Sequence, residues 1–251
     1  MQSESPNRLV VGMSGASGAP LCIELLKAMQ AIPDWETHLV ISDGAQRTIE
    51  LETDYSLAEV EALATICYPL DDVAASISSG TFKTAGMVVV PCSMKTLAGI
   101  AHGFSENLLL RAADVVLKER RKMVLVTRET PLNAIHLANM STLAHLGVVI
   151  MPPMLTFYNH PETILDMSRH MVGKILDVFG LEATHFKRWK GADAIRQTCH
   201  PEVSTAVRVA LLNSNIHCNS DDLLHPVERE CENRCHADHS HPGSRPTGCQ
   251  R

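Results

Sequence analysis

The runs Met87-Val-Val-Val-Pro91 and Lys122-Met-Val-Leu-Val-Thr127 constrain this chain more than any other feature of it. Neither alternates apolar with polar residues; both are apolar almost throughout and rich in β-branched side chains. A strand that reads this way has no solvated face, which belongs to a parallel sheet covered on both sides. Strands are expected over residues 9–13, 37–42, 87–91, 123–127 and 148–151. Between them lie stretches of helical periodicity over 20–31 and 107–119, a capping-box pattern Ser56-Leu-Ala-Glu59 before Val60, a helix that Pro131 can start, and another that Pro161 opens and that runs to about Phe179. The alternation predicts an α/β fold, a parallel sheet between helical layers. Pro152-Pro153 breaks the chain just past the last strand, where a site loop is expected.

The 251 residues are enough for one full core and slightly long for one compact domain, so one domain with an appendage is expected. With 22 Lys and Arg against 28 Asp and Glu, the formal charge of −6 gives no electrostatic reason for a polyanionic partner such as nucleic acid or an acidic membrane surface. The opening MQSESPN has no basic segment leading into an apolar one, and no uncharged apolar run approaches the ~18 residues of a membrane span. A cytoplasmic protein is expected. Of the eight cysteines, Cys22, Cys67, Cys92 and Cys199 are scattered through the body of the chain. Cys218, Cys231, Cys235 and Cys249 fall in a polar segment from Asn213 onward, rich in His and Pro and without an apolar stripe, which is expected to be poorly ordered on its own. There Cys231-x3-Cys235-His236-x2-His239-x-His241, near Cys218, His225 and Cys249, offers ligand types that zinc accepts, in a spacing that fits no standard finger. A plain His/Cys-rich tail is the alternative.

Chemistry concentrates where strands end. Gly12-Met-Ser14-Gly15-Ala-Ser17-Gly18 follows the first strand and opens the first helix. Such a loop either makes a tight turn that needs glycine, or lets the backbone approach a ligand whose charge faces the helix N-terminus, with serine hydroxyls as further donors. Pro91-Cys92-Ser93-Met94-Lys95-Thr96 repeats the arrangement after another strand. Two hydroxyl-bearing loops at carboxyl ends define the crevice that open α/β sheets use for nucleotides. Cys92 reads as a small buried residue at a strand end rather than a nucleophile. In Lys118-Glu119-Arg120-Arg121, two of the four suit a solvated helix end. Arg128-Glu129, directly after a buried strand, is either a structural ion pair or a crevice pair in which Arg takes a phosphate with two hydrogen bonds.

The strings GMSGASGA, LETD, SSGTFKT, PCSMKTLAGIAHG, NLLLRAADVVLKERR, VTRETPL, GVVIMPP and FYNHP, in this order, closely resemble the UbiX/Pad-type flavin prenyltransferases from Arg8 to about Gly191. The resemblance implies a flavodoxin-like (Rossmann-like) three-layer fold in a domain over 8–191, followed by an extension over 192–251. It implies a homododecameric enzyme that joins the dimethylallyl group of dimethylallyl phosphate to N5 and C6 of reduced FMN without a metal. The product, prenylated FMN, is the cofactor of a partner UbiD-type decarboxylase. Carried over by motif, FMN contacts are Gly15, Ala16, Ser17, Ser42, Ser93, Met94, Lys95, Thr96 and Arg128. The substrate phosphate is assigned to Lys118, Arg128, Tyr158 and Lys174, some reaching across a subunit boundary, and proton handling to Ser17, Glu52 and Glu129. Lys174 stands where the family more often has Arg, and Val73 about where some relatives place an aromatic residue. The competing readings are an FMN-dependent cysteine decarboxylase of the same fold and a non-catalytic flavin-binding subunit.

Overall fold

Successive side chains of a strand point to opposite faces, and in this sheet both faces are dry. Leu9, Val11, Met13, Val88, Val90, Val124 and Val126 belong to one apolar cluster, while Val10, Met87, Val89, Met123 and Leu125 belong to a second. The computed structural model describes residues 7–184, 186–189 and 191. The chain divides into two compact units, Met1–Trp189 and Lys190–Arg251, and the described fold is that of the first. The expected tail and its Cys231 to His241 cluster lie outside the described residues.

Strands β1 (Asn7–Met13), β2 (Trp35–Ile41), β3 (Ile66–Tyr68), β4 (Gly86–Cys92), β5 (Lys122–Thr127) and β6 (Val149–Ile150) form one parallel sheet in the order β3-β2-β1-β4-β5-β6. Apart from the three-residue edge strand β3, this is the flavodoxin order, with its switch point between β1 and β4. Helices α1 (Ala19–Gln30), α2 (Asp43–Glu52) and α7 (Ile164–Phe179) supply Leu25, Ile49 and Ile175 to the first cluster, beside Val60 of the short α3 (Leu57–Glu61). Helices α4 (Met94–Ala101), α5 (Leu108–Lys118) and α6 (Ala134–His145) supply Leu97, Leu109 and Leu143 to the second. The result is the expected three-layer α/β fold.

Local chemistry explains most element ends. Ser56 and Glu59 form the expected capping box at α3, and Asn107 caps α5 by accepting from Leu110 N at 3.0 Å. Pro131 does not open α6: the helix starts at Ala134, capped by Asn133, because an Asn side chain can accept the N3 amide and a proline cannot. Pro161 likewise precedes its helix, and the cap of α7 is a Thr163–Asp166 box. The sequence reading did not include β3 or α2, and α2 carries part of the site.

Candidate functional site

The carboxyl ends of β2, β1, β4 and β5 are tied into one row by their loops. Ser42 N donates to Met13 O at 3.0 Å, and Arg128 N donates to Cys92 O at 3.0 Å. Between them Ser14, 1 % exposed, donates its hydroxyl to Pro91 O at 2.9 Å and accepts from Ser93 N at 2.8 Å. This hydroxyl stitches the switch point together and is spent on the sheet, so of the serines in the first loop it is the one withdrawn from a ligand. Above the row opens a crevice of about 740 Å³, lined by Gly15, Ser42, Ser93, Lys95 and Thr96 on its polar side and by Leu70, Phe104, Leu109 and Leu110 on its apolar side. Its size lies within the roughly 300–1,000 Å³ usual for small-molecule sites, and few polar groups against a largely apolar wall is their usual makeup. A flat heteroaromatic ring fits the apolar wall, and the hydroxyl side suits a polar, phosphorylated chain.

Two backbones meet at the mouth of this crevice. A Cβ added to Gly15 would lie 2.7 Å from Gly44 Cα, and one added to Gly44 would lie 3.1 Å from Gly15 Cα. The first loop and the start of α2 pack backbone to backbone, an approach that requires glycine at position 15 and is tight for any side chain at position 44.

The N-terminus of α1 is already occupied. Glu52, the last residue of α2, accepts from Gly18 N at 2.8 Å and from Ala19 N at 2.9 Å. Burial pushes its carboxyl up, but the Gly18 amide, the Ser17 hydroxyl, the Ala19 amide and the charge of Arg128 together hold it below the ordinary carboxylate range. The ligand charge expected at this helix end therefore has the chain's own carboxylate in its place. A helix N-terminus open to an anion is that of α4. Ser93 Oγ accepts from Thr96 N at 3.3 Å and donates to Thr96 Oγ1 at 3.1 Å, leaving the Met94 and Lys95 amides of the first turn without intrahelical acceptors. Ser42 caps α2 in the same way, accepting from Ala45 N at 3.2 Å, but Asp43 in that first turn disfavours an anion.

The residues expected to act on a substrate fall into separate groups. Ser17, Glu52 and Arg128 are neighbours of one another, and none of the three lines the crevice. Glu129 is exposed and accepts from Thr130 N at 3.0 Å; among the described residues no ion pair joins it to Arg128. Tyr158 and Lys174 lie about His170, the first through a 3.4 Å contact of Oη with Nε2, the second through its charge. Lys118 is elsewhere, paired with Glu119 at 2.7 Å in a second crevice of about 540 Å³ shared with Ser78, Ser79, Thr81, Lys83 and Arg111. Arg121 of the same basic run is structural, donating to Phe82 O at 2.8 Å and Gly80 O at 2.5 Å. Cys92 is fully buried, and burial pushes its thiol up to about 12, which leaves no thiolate for nucleophilic work.

Sequence reasoning did not include Asp43, Leu70, His102, Phe104, Glu106 and Asn107 in the crevice. Asn107 carries a readable cap signal, but a cap reveals a helix start and not what faces it. Among the described residues no group of acidic, His and Cys side chains is placed to hold a metal ion.

The sequence matches the flavoprotein family over residues 1–178. It is 57% identical over 189 residues to a probable UbiX-like flavin prenyltransferase of Escherichia coli, covering 75% of this chain and 96% of that one. Among solved structures it is similar to a dodecameric FMN-dependent UbiX-like decarboxylase from Escherichia coli O157:H7, at 57% identity and a TM-score of 0.73 over 73% of this chain and 100% of the other. It is also similar to AnUbiX (PadA1) in complex with FMN and dimethylallyl pyrophosphate, at 50% identity and a TM-score of 0.73, covering 74% of this chain and 98% of the other.

Proposed function

The chain belongs to the flavoprotein family, among its UbiX-like flavin prenyltransferases, and from that premise we propose that it transfers the dimethylallyl group of dimethylallyl phosphate to N5 and C6 of reduced FMN. It is a transferase for which FMN is substrate and prenylated FMN is product. The observation that carries this reading is the pairing of a half-apolar, half-hydroxylic crevice at the β1/β4 switch point with a carboxylate, Glu52, fixed on the amides that end the loop whose Gly15 lines it. When bound, the reduced flavin supplies the nucleophilic N5 and C6 atoms. Gly15, Ala16 and Ser17, Ser42, and Ser93 to Thr96 hold it, with Lys95 and the open start of α4 toward its phosphate.

Breaking the allylic carbon–oxygen bond leaves cationic character on carbon and negative charge on the departing phosphate. Lys118, Arg128, Tyr158 and Lys174 balance the phosphate oxygens. Lys174 does so as a point charge, without the fork an arginine would offer. Glu52 is held ionised at neutral pH, so it meets the developing cation as a carboxylate and then accepts a proton, rather than arriving as an acid. Ser17 orients it. Glu129 is the second proton-handling group.

The catalytic domain spans residues 8–191 and works in a homo-oligomer, a dodecamer like the Escherichia coli O157:H7 relative. Exposed Ile135, Leu137, Met154, Leu155 and Phe157 are apolar surface of the kind that subunits cover. Among the described residues no helix is long and apolar enough to cross a membrane, and a cytoplasmic enzyme supplying a UbiD-type decarboxylase accords with that. The test is anaerobic incubation of metal-free protein with reduced FMN and dimethylallyl phosphate, followed by mass spectrometry of the released flavin. A covalent five-carbon adduct is the expected result; bound but unmodified FMN, with the pyrophosphate donor as well, would reject the reading.

A further inference from the structure

His170 is 4% exposed, lies on α7, and has polar neighbours at both ring nitrogens. Tyr158 Oη is 3.4 Å from Nε2, and Asn159 Nδ2 is 3.3 Å from Nδ1. Asn159 Oδ1, in the same cluster, is buried without a partner. As placed, Asn159 Nδ2 donates to Nδ1, so the ring proton sits on Nε2. Nε2–H then donates to Tyr158 Oη, which leaves the phenol's own hydrogen free. Burial, and next the charge of Lys174, lower the pKa of the imidazole, which accords with a neutral ring. Aromatic packing fixes the same unit: Trp189 meets the Tyr158 ring edge-on at 5.3 Å, and Phe186 stands 5.1 Å from the His170 ring. Gly173 is what admits Phe186, since a Cβ there would collide with its ring. Tyr158 itself stays 45% exposed, so one side of the phenol is clamped and the other is open.

We propose that His170, oriented by Asn159, is the positioning residue for Tyr158, holding the phenol from behind so that its free side meets the prenyl phosphate. The inference rests on the reading of Tyr158 as a phosphate ligand. His170 touches neither flavin nor phosphate; it acts through the tyrosine, donating from Nε2 to Oη so that the one phenolic hydrogen turns to a charged phosphate oxygen.

The test compares wild type with Tyr158→Phe, His170→Phe, His170→Gln and the double variant Tyr158→Phe/His170→Phe. Dimethylallyl phosphate binding to the FMN-loaded oxidised enzyme is measured by calorimetry, and KM and kcat are measured anaerobically with reduced FMN. Tyr158→Phe and His170→Phe should each weaken the prenyl phosphate about tenfold, about 1.4 kcal/mol, through KM more than kcat and with FMN affinity unchanged. The double variant should be no worse than Tyr158→Phe, because residues acting through one another are not additive. His170→Gln, whose amide reaches toward the place of Nε2, should recover most of the loss. Wild-type phosphate affinity in His170→Phe beside a weakened Tyr158→Phe would overturn the inference alone, as would additive losses or a His170→Gln as defective as His170→Phe. Wild-type affinity in Tyr158→Phe would instead remove the reading of Tyr158, and this inference with it. If His170→Phe does not fold, Asn159→Leu enters the same cycle with Tyr158→Phe, and additivity there decides against the proposal.

Discussion

Glu52 joins helix capping to chemistry in one carboxylate. Its two backbone hydrogen bonds, to Gly18 N and Ala19 N, exist at full strength only while it is ionised. Because its folded-state pKa lies below its unfolded value, it stabilises the protein fully above the ordinary carboxylate range, and that stability is lost as pH falls through the folded pKa. Glu52→Gln should therefore cost about 1 kcal/mol near neutral pH, a fall of roughly 2–4 °C in Tm. Thermal melts of the two proteins should converge as the pH drops below the carboxylate range; a constant difference at every pH would show that the charge is not what α1 uses. The same variant should retain FMN while losing prenylation, since an amide neither balances an allylic cation nor takes its proton. At Lys174 the expectation runs the other way: Lys174→Arg restores a two-pronged phosphate contact, so KM for the prenyl phosphate should fall severalfold with kcat little changed, as steady-state kinetics would read.

At the scale of elements, the site is a meeting of loops, and the tightest meeting is Gly15 on Gly44. Gly15→Ala drives a methyl to 2.7 Å from a backbone carbon that no rotamer change can move, whereas Gly44→Ala faces the reciprocal contact at 3.1 Å. Fluorescence titration should show FMN affinity falling by tenfold or more, about 1.4 kcal/mol, in Gly15→Ala and distinctly less in Gly44→Ala; equal losses would mean that the two loops part easily. Such a contact is not legible in sequence, where Gly15 reads as one small residue among several. Strands β1, β4 and β5 are legible because burial on both faces writes itself as an unbroken apolar run. By contrast, β3 is three residues ending at a proline, too short for any period. Helix α2, DGAQRTIELE, buries only Ala45 and Ile49 and so shows almost no apolar stripe, although it begins at Ser42 and ends at Glu52. Those two residues were reached through a resemblance of motifs and not through the pattern of their own helix. Ser14 was legible as a loop hydroxyl, but its partners, Pro91 O and Ser93 N, lie more than seventy residues away and nothing local announces them.

The whole molecule raises the question of how Lys118 and Arg128 serve one phosphate. Lys118 ends α5, just before β5 begins, and Arg128 follows the other end of the same strand. The strand between them spans roughly 17 Å. Within one chain that strand stands between them, and the crevice holding Lys118 with Arg111, Ser79 and Thr81 is separate from the one at the switch point. Under the proposed function, a phosphate cage containing both Lys118 and Arg128 is one that a second copy closes by presenting its own Lys118 crevice to its neighbour. The exposed apolar side chains of α6 and of the loop after β6 give such copies a reason to associate. Co-expression tests this directly. Lys118→Ala and Tyr158→Phe homo-oligomers should each prenylate FMN poorly. In mixed oligomers of the two, sites formed by Lys118 of a Tyr158→Phe chain and Tyr158 of a Lys118→Ala chain carry no defect, and random assembly makes about a quarter of all sites of this kind. Recovery toward that fraction of wild-type turnover is the expected outcome. If each chain's Lys118 served its own site, every site in the mixture would carry exactly one of the two lesions, and mixing would restore nothing.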